Sequence, residues 1–300
     1  MQLREPALNC ADITSCNGRP CEIEVSGLSR SFAKTIAVDS LDFRVGRGEL
    51  FAFLGPNGAG KTTTINMLTG LLKPTAGEIR YHGDLFDPQQ LRTKQLIGVV
   101  PQHNNLDREL TVAENLLIHG RLFGMCGSVL KRQIDSCLMF ADLSDKRDTP
   151  AGKLSGGMKR KLVIARALLH QPEILFLDEP TVGLDPHSRR RMWAFLRRIN
   201  QEQNCTVFLT THYIEEAEAL ADRVLIIDQA RIIAGGTPGQ LKQSAGNVVL
   251  DIYNGDQIDN EFFAERSLAL QRLEQLDTSV RIRETTLEDV FLQLTGKRIE

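Results

Sequence analysis

The chain has 300 residues, 42% hydrophobic and 25% charged, with a formal net charge of −2. That length and apolar content suit a substantial core, one large α/β unit plus an appendage, and the near-balanced charge lacks the footprint of a nucleic-acid binder, so no nucleic acid is expected as a partner. No apolar run approaches the roughly 18 residues of a membrane span, and no basic patch leads into an apolar core at the N-terminus, so neither a spanning helix nor a secretory signal is expected.

In chain order, residues 1–20 are irregular and rich in Asn, Gly, Pro and Ser, and read as an extension. From Cys21 to about Gly83 lie β-type runs. Within them Leu50-Phe51-Ala52-Phe53-Leu54 is a short apolar strand ended by Gly-Pro. Gly55-Pro56-Asn57-Gly58-Ala59-Gly60-Lys61-Thr62 follows and fits G-x-x-x-x-G-K-[ST], and Thr62 to Leu68 reads as a helix. Strand, glycine-rich turn and helix are the context a phosphate loop needs. Glycines let backbone N–H groups turn inward around phosphate oxygens, and the helix N-terminus adds its positive dipole end. Lys61 is expected to reach the outer phosphates, the Thr62 hydroxyl to ligate Mg²⁺, and Thr63 to add a hydroxyl near the inner phosphates.

From Asp84 to Thr149 the pattern turns helical, with Val112 to Phe123 and Ser128 to Phe140 as candidate helices. Leu154-Ser155-Gly156-Gly157-Met158 is a second glycine-bearing loop, read as a cap for a terminal phosphate. It opens a helix to Leu169 that Ser155 can cap, with the dipole end facing an anion. Ile174-Leu175-Phe176-Leu177 is a continuous apolar run that reads as a central parallel strand, and it ends in Asp178-Glu179-Pro180. Ligands of such sheets sit at the carboxyl ends of strands, which places Asp178 to hold Mg²⁺ and Glu179 to polarise a water for in-line attack on a γ-phosphate.

Pro186 to Asn200 reads as a helix with a first-turn proline, and its Arg189-Arg190-Arg191 and Arg197-Arg198 read as a solvated face. Thr206 to Thr210 is a β-type run, so His212 lies just beyond a strand end, whereas His82, His103 and His170 read as surface residues. Leu241 to Glu300 forms a small α+β appendage: Asn247 to Tyr253 and Ser279 to Arg283 alternate as strands, and Thr286 caps a helix to Leu294. The six cysteines contain no C-x-x-C pair, which argues against a zinc site, and a cytosolic chain would keep them reduced.

The ordered set GPNGAGKT, Pro101-Gln102, LSGGM, FLDEP, Gly183-Leu184-Asp185 and Thr211-His212 resembles the ATP-binding cassette (ABC) transporter ATPases, from about Glu22 to Gly236. Met158, where Gln is commoner, together with ELTVAENL and TLEDVFLQLTG, resembles the exporter subset that serves nodulation factors and daunorubicin resistance. The resemblance implies an α/β P-loop fold with a mostly parallel core sheet, an antiparallel β subdomain, a helical subdomain over about 84–165 within a 21–240 cassette, and the 241–300 appendage. It implies ATP and Mg²⁺ as cofactors, with Phe32 stacking on adenine and Gln102 sensing Mg²⁺ and linking the nucleotide to a membrane partner. Ser155, Gly156 and Gly157 would contact the γ-phosphate across a head-to-tail homodimer, Asp185 would couple the two sites, and His212 would orient the attacking water. The implied partners are a second copy and an ABC-2-type membrane permease docked near Gln102 to Leu117. The implied place is the cytoplasm, peripheral on the inner face of the cell membrane. The implied activity is ATP hydrolysis that drives export. A soluble ABC-type ATPase or ATP-dependent switch is the alternative; one cassette without sustained heptads argues against translation and repair members, and Glu179 and His212 argue against an inert switch.

Overall fold

Leu50–Leu54, Ile174–Asp178 and Thr206–Thr211 are buried along their entire lengths, which requires cover on both faces of the sheet that contains them. The computed structural model describes residues 15–16, 18–254, 257–276 and 278–296. Most of the expected extension, residues 1–14 and 17, lies outside the described residues.

The strands are β1 (Cys21–Phe32), β2 (Thr35–Gly46), β3 (Leu50–Leu54), β4 (Ala76–Tyr81), β5 (Asp84–Leu85), β6 (Ile97–Val100), β7 (Ile174–Asp178), β8 (Thr206–Thr211), β9 (Arg223–Asp228), β10 (Arg231–Gly236), β11 (Val248–Asn254), β12 (Gln257–Phe263) and β13 (Ser279–Glu284). The helices are α1 (Lys61–Leu68), α2 (Leu91–Leu96), α3 (Val112–Leu122), α4 (Gly127–Phe140), α5 (Gly156–Leu168), α6 (Pro186–Gln203), α7 (Ile214–Leu220), α8 (Pro238–Ala245), α9 (Arg266–Leu273) and α10 (Leu287–Thr295).

The central sheet runs β10-β9-β3-β8-β7-β6. Every neighbouring pair from β9 to β6 is parallel, and β10 closes one edge antiparallel. Side chains alternate between its faces. Phe51, Phe53, Ile174 and Phe176 enter one core with α1 and the antiparallel sheet β2-β1-β4-β5, while Leu50, Ala52, Leu54, Leu175 and Leu177 enter the other with α3 to α7. Phe208 sits at the centre of the first core, with Phe43, Phe51, Phe53 and Phe176 centred 5.3–6.1 Å away. Such aromatic pairs add about 0.5–1.5 kcal/mol each beyond area burial, and here they weld the two sheets.

Between Asp84 and Thr149 the structure corrects the wholly helical expectation, because β5 and β6 lie there too. Ile97–Val100 is too short to show a period, and it is a strand because β7 supplies its parallel partner. The arginine-rich helix α6 is also only partly a solvated face. Arg189 lies 3.9 Å over the Tyr213 ring, and Arg198 covers Phe140 and donates to its carbonyl. His170 is corrected as well: it is half-buried, stacked 3.9 Å from Phe123, with Nε2 3.0 Å from the Ile97 carbonyl. Burial pushes its pKa down.

The C-terminal segment forms the antiparallel sheet β12-β11-β13. Val248, Leu250 and Ile252 pack on Ala269 of α9. Helix α10 packs on α7 and α8, and Leu287, Val290 and Phe291 join the main core. Thr286 and Asp289 make a capping box, and Arg283 donates to both Asp289 oxygens and to Asp251. Burial raises the Asp289 pKa, but the Arg283 and Thr286 hydrogen bonds outweigh it and leave that pKa lowered. A carboxylate depressed in the folded state adds stability above its unfolded pKa, about 3.9, and loses it as pH falls through the lower folded value. Asp289→Ala is therefore expected to lower stability at pH 7 by on the order of 2 kcal/mol, from the lost cap and the lost ion pair to Arg283, which keeps only Asp251, and to remove part of the acid sensitivity. Denaturant titrations at pH 7 and pH 3 check this; equal losses at both would contradict it.

Candidate functional site

Four parallel strands deliver the site from their carboxyl ends. Beyond β3 lies the loop from Gly55 to Gly60, beyond β6 lies Gln102, Asp178 ends β7 with Glu179 next, and His212 follows β8. They surround a cavity of about 570 Å³ lined by Asn57, Gly58, Gly60, Lys61, Thr62, Thr63, Gln102, Glu179 and His212.

Backbone sterics set the loop. Gly60 has φ +108° and caps α1, and a Cβ there would lie 2.5 Å from the Ala37 carbonyl oxygen. A Cβ on Gly55 would lie 2.2 Å from the Ile227 carbonyl oxygen, so glycine is required at both ends of the turn. Lys61 is buried and donates from Nζ to the carbonyls of Gly55 (2.8 Å) and Pro56 (3.0 Å). This bends its ammonium back over the loop, where an anion bound by the backbone would meet it. Ala59 is buried and anchors the turn in the core.

Asp178 Oδ1 accepts hydrogen bonds from Thr62 Oγ1 (3.2 Å) and Thr210 Oγ1 (2.6 Å). The Thr62 hydroxyl and the Asp178 carboxylate thus meet as hard oxygen donors, a pair suited to Mg²⁺, and Gln102 faces the same cavity.

Glu179 is the meeting point. Its Oε1 lies 3.1 Å from Lys61 Nζ and 3.2 Å from His212 Nδ1, and its Oε2 accepts from Gln102 Nε2 at 3.1 Å. The His212 nitrogen is buried without an aligned hydrogen bond. Glu179 has φ +46°, a left-handed conformation that costs a residue with a Cβ free energy. Its N–H is held by the Thr210 hydroxyl at 3.1 Å and the Thr210 carbonyl at 3.2 Å. The strand is thereby broken so that the carboxylate turns into the cavity.

The remaining expected residues lie outside this cavity's lining. Phe32 sits at the end of β1, 45% exposed, with Arg30 4.6 Å over its ring. Ser155 and Gly156 are exposed at the start of α5, and Gly157 is half-buried there. Ser155 Oγ accepts from the Met158 N–H, which confirms it as the helix cap. Met158 packs against the main core, which accounts for an apolar residue at that position. Asp185 is exposed and caps α6 by accepting from the Ser188 N–H at 2.9 Å, and Ser188 holds its pKa low.

Two residues escaped the sequence reading. Arg160 is buried on α5, with Val163, Ile164 and Ala167 on the same inward stripe. Its guanidinium donates to the carbonyls of Pro180 (2.9 Å), Pro101 (2.6 Å), Gln102 (3.2 Å) and Asp178 (2.9 Å), and burial lowers its pKa to about 10. One side chain therefore ties the helix opened by Ser155 to the backbone on both sides of Glu179 and at Gln102. The helical period, which sets a basic residue among apolar ones, was the available signal. Arg160→Met should leave four carbonyls without this donor and cut ATP turnover at least tenfold, while Arg160→Lys recovers part. Unchanged turnover in a folded Arg160→Met chain would contradict the role. Glu216 of α7 is also buried, accepting from Thr181 Oγ1 (2.8 Å) and Trp193 Nε1 (3.1 Å), and burial raises its pKa. It ties the segment after Glu179 to α6 and α7.

Residues 38–182 match the family model described as ABC transporter. A "Nod factor export ATP-binding protein I" of a Rhizobium species is 41% identical over 301 residues, covering 93% of this chain and 98% of the relative. The protein of the same name from Burkholderia lata is 41% identical over 300 residues, with 93% and 98% covered. Among solved structures, cbiO1 of Clostridium perfringens, part of an ABC transporter complex, superposes with a TM-score of 0.70 at 27% identity, covering 74% of this chain and 91% of that one. A dimeric ATP-binding cassette bound to ADP and phosphate superposes with a TM-score of 0.63 at 27% identity, covering 72% and 98%. With its phosphate loop, strand-end carboxylates and near full-length relatives, this chain belongs to the ABC transporter family, as an ATP-binding, ATP-hydrolysing subunit.

Proposed function

We propose that the chain powers export through a separate ABC-2-type permease, by closing on a second copy when ATP binds and reopening after hydrolysis. The observation that carries the reading is the Glu179 carboxylate, which gathers Lys61, Gln102 and His212 at one buried point. ATP would draw Lys61 onto its outer phosphates, freeing Glu179 to accept a proton from the attacking water, with His212 orienting that water. Thr62 and Asp178 would hold Mg²⁺ with Gln102 facing it, and the ion, when bound, offsets phosphate charge.

The loop from Gly55 to Thr63, with Pro56, Asn57, Gly58 and Ala59, would cradle the phosphates, and Phe32 would stack on adenine. The exposed Ser155 and Gly156, with Gly157 and Asp185, would complete the partner copy's site; their position outside their own cavity supports this. Among the described residues no helix is long and apolar enough to cross a membrane. We place the chain in the cytoplasm, against the inner membrane face. The exposed Leu117, Ile118, Leu122 and Val129 on α3 and α4 support docking there. A division into a 21–240 cassette, with helices over about 84–165, and a 241–300 appendage fits this reading. Export is the direction that the relatives' names carry.

Affinity purification of the chain from detergent-solubilised membranes of its own host tests the proposal. A multi-span ABC-2-type protein should accompany it, and turnover should differ between the complex and the free chain. Recovery of the free chain alone, with the same turnover, would overturn it.

A further inference from the structure

At the opposite end of β7 from Asp178, three ligand-type side chains converge from separate stretches. Glu22 comes from β1, His82 from the turn between β4 and β5, and Glu173 from just before β7. Each offers one ligand atom, and all three atoms lie within 4.8 Å of one another. Glu22 Oε1 is 2.9 Å from His82 Nε2, and His82 Nε2 is 3.7 Å from Glu173 Oε2. Tetrahedral ligands at zinc's usual bond lengths stand roughly 3.4 Å apart, between those two separations.

Their backbones are pinned. The His82 N–H donates to the Glu22 carbonyl, the Glu173 N–H donates to the Leu96 carbonyl, and the Glu173 carbonyl accepts from the Thr206 N–H. The Glu22 side chain is 1% exposed, yet its Oε2 accepts no hydrogen bond. A buried carboxylate oxygen without a donor is costly, and a cation beside it removes that cost. Its nearest cation is Arg47, with Nε 3.7 Å away, too far to bond, while Arg47 Nη2 pairs with Glu173 Oε2 at 2.7 Å. Half of the Arg47 side chain is in solvent, so it can turn outward while the three other groups stay.

We propose that Glu22, His82 and Glu173 form a zinc site at the foot of the central sheet, with Arg47 as a stand-in cation that the ion displaces. One imidazole and two carboxylates suit Zn²⁺ better than the all-oxygen preference of Mg²⁺ or Ca²⁺, and water completes the shell. The sequence, with no C-x-x-C pair, argued against a zinc site; these ligands are not cysteines, lie far apart in the chain and meet only through the fold. The bound ion clasps β1 and the β4–β5 turn to the strand that ends at Asp178, and it stabilises the folded chain by binding it preferentially.

The test is calorimetric titration of ZnCl₂ into the nucleotide-free full chain, with MgCl₂ in excess, paired with thermal unfolding. The expected result is one zinc per chain and a raised unfolding midpoint. Glu22→Gln and His82→Asn should each weaken binding by about tenfold or more. Asparagine tolerates the φ of +52° at His82, so the turn persists. Arg47→Ala should tighten binding by about tenfold, because the competing charge is gone. A double Cys16→Ser, Cys21→Ser chain should bind as the parent does. Absence of binding in both the parent and Arg47→Ala overturns the proposal. So does affinity equal to the parent's in the Glu22→Gln and His82→Asn variants, or loss of binding in the cysteine variant alone.

Discussion

Glu179→Gln is expected to bind ATP normally and to hydrolyse it on the order of 10²–10⁴-fold more slowly, the usual contribution of a positioned general base. The amide keeps the shape of the side chain and can still bond Gln102, so the cavity persists. It cannot take a proton from water, and it gives up its charge beside Lys61 and His212. The proposed ATP-driven closure would then have no exit, and the variant should accumulate as an ATP-bound dimer. Size-exclusion chromatography with light scattering and a steady-state phosphate-release assay check both halves. Turnover near that of the parent would remove Glu179 from the role of base, and another group would have to activate the water.

Ser155→Arg is expected to separate binding from closure. Ser155 is exposed and lies outside its own cavity's lining, so nucleotide affinity of a single copy should change by no more than about twofold. On the proposed closure the larger side chain would occupy the space that a partner's phosphates would enter, and turnover should fall on the order of 10²-fold, as misplacement of reacting groups typically costs. Loss of the cap to the Met158 N–H adds about 1 kcal/mol of destabilisation, which thermal unfolding can measure separately. The decisive reading is the double variant with Glu179→Gln: with ATP it should stay monomeric where the single variant dimerises. A double variant that still pairs would show that Ser155 has no place in the closed interface.

These two residues also mark how far the sequence alone could be read. Glycines at 55, 58 and 60 beside Lys61 and Thr62 are dictated by the chemistry of wrapping a backbone around an anion, and so they announce themselves locally. The all-apolar strand before Asp178 likewise identifies a central parallel strand, because only a strand covered on both faces reads that way. Helix ends were legible where a side chain caps its own turn, at Ser155, at Thr286 and at Pro186 after Asp185. By contrast β12 and α9 passed unnoticed, since their polar composition is tolerated only because β11 lends one a partner and the other a surface.

By itself, then, the sequence determined the phosphate loop, the order of the motifs and the strands that are buried on both faces, since each depends on residues adjacent in the chain. Only the tertiary structure decided that Glu179 leaves its strand in a left-handed turn and meets Lys61, Gln102 and His212. It alone showed that Arg160 binds four carbonyls, and that Glu22, His82 and Glu173 converge. The physical reason is the same in each case. These arrangements depend on distances between side chains far apart in the chain, and such distances exist only once a packed core has fixed which strand lies beside which.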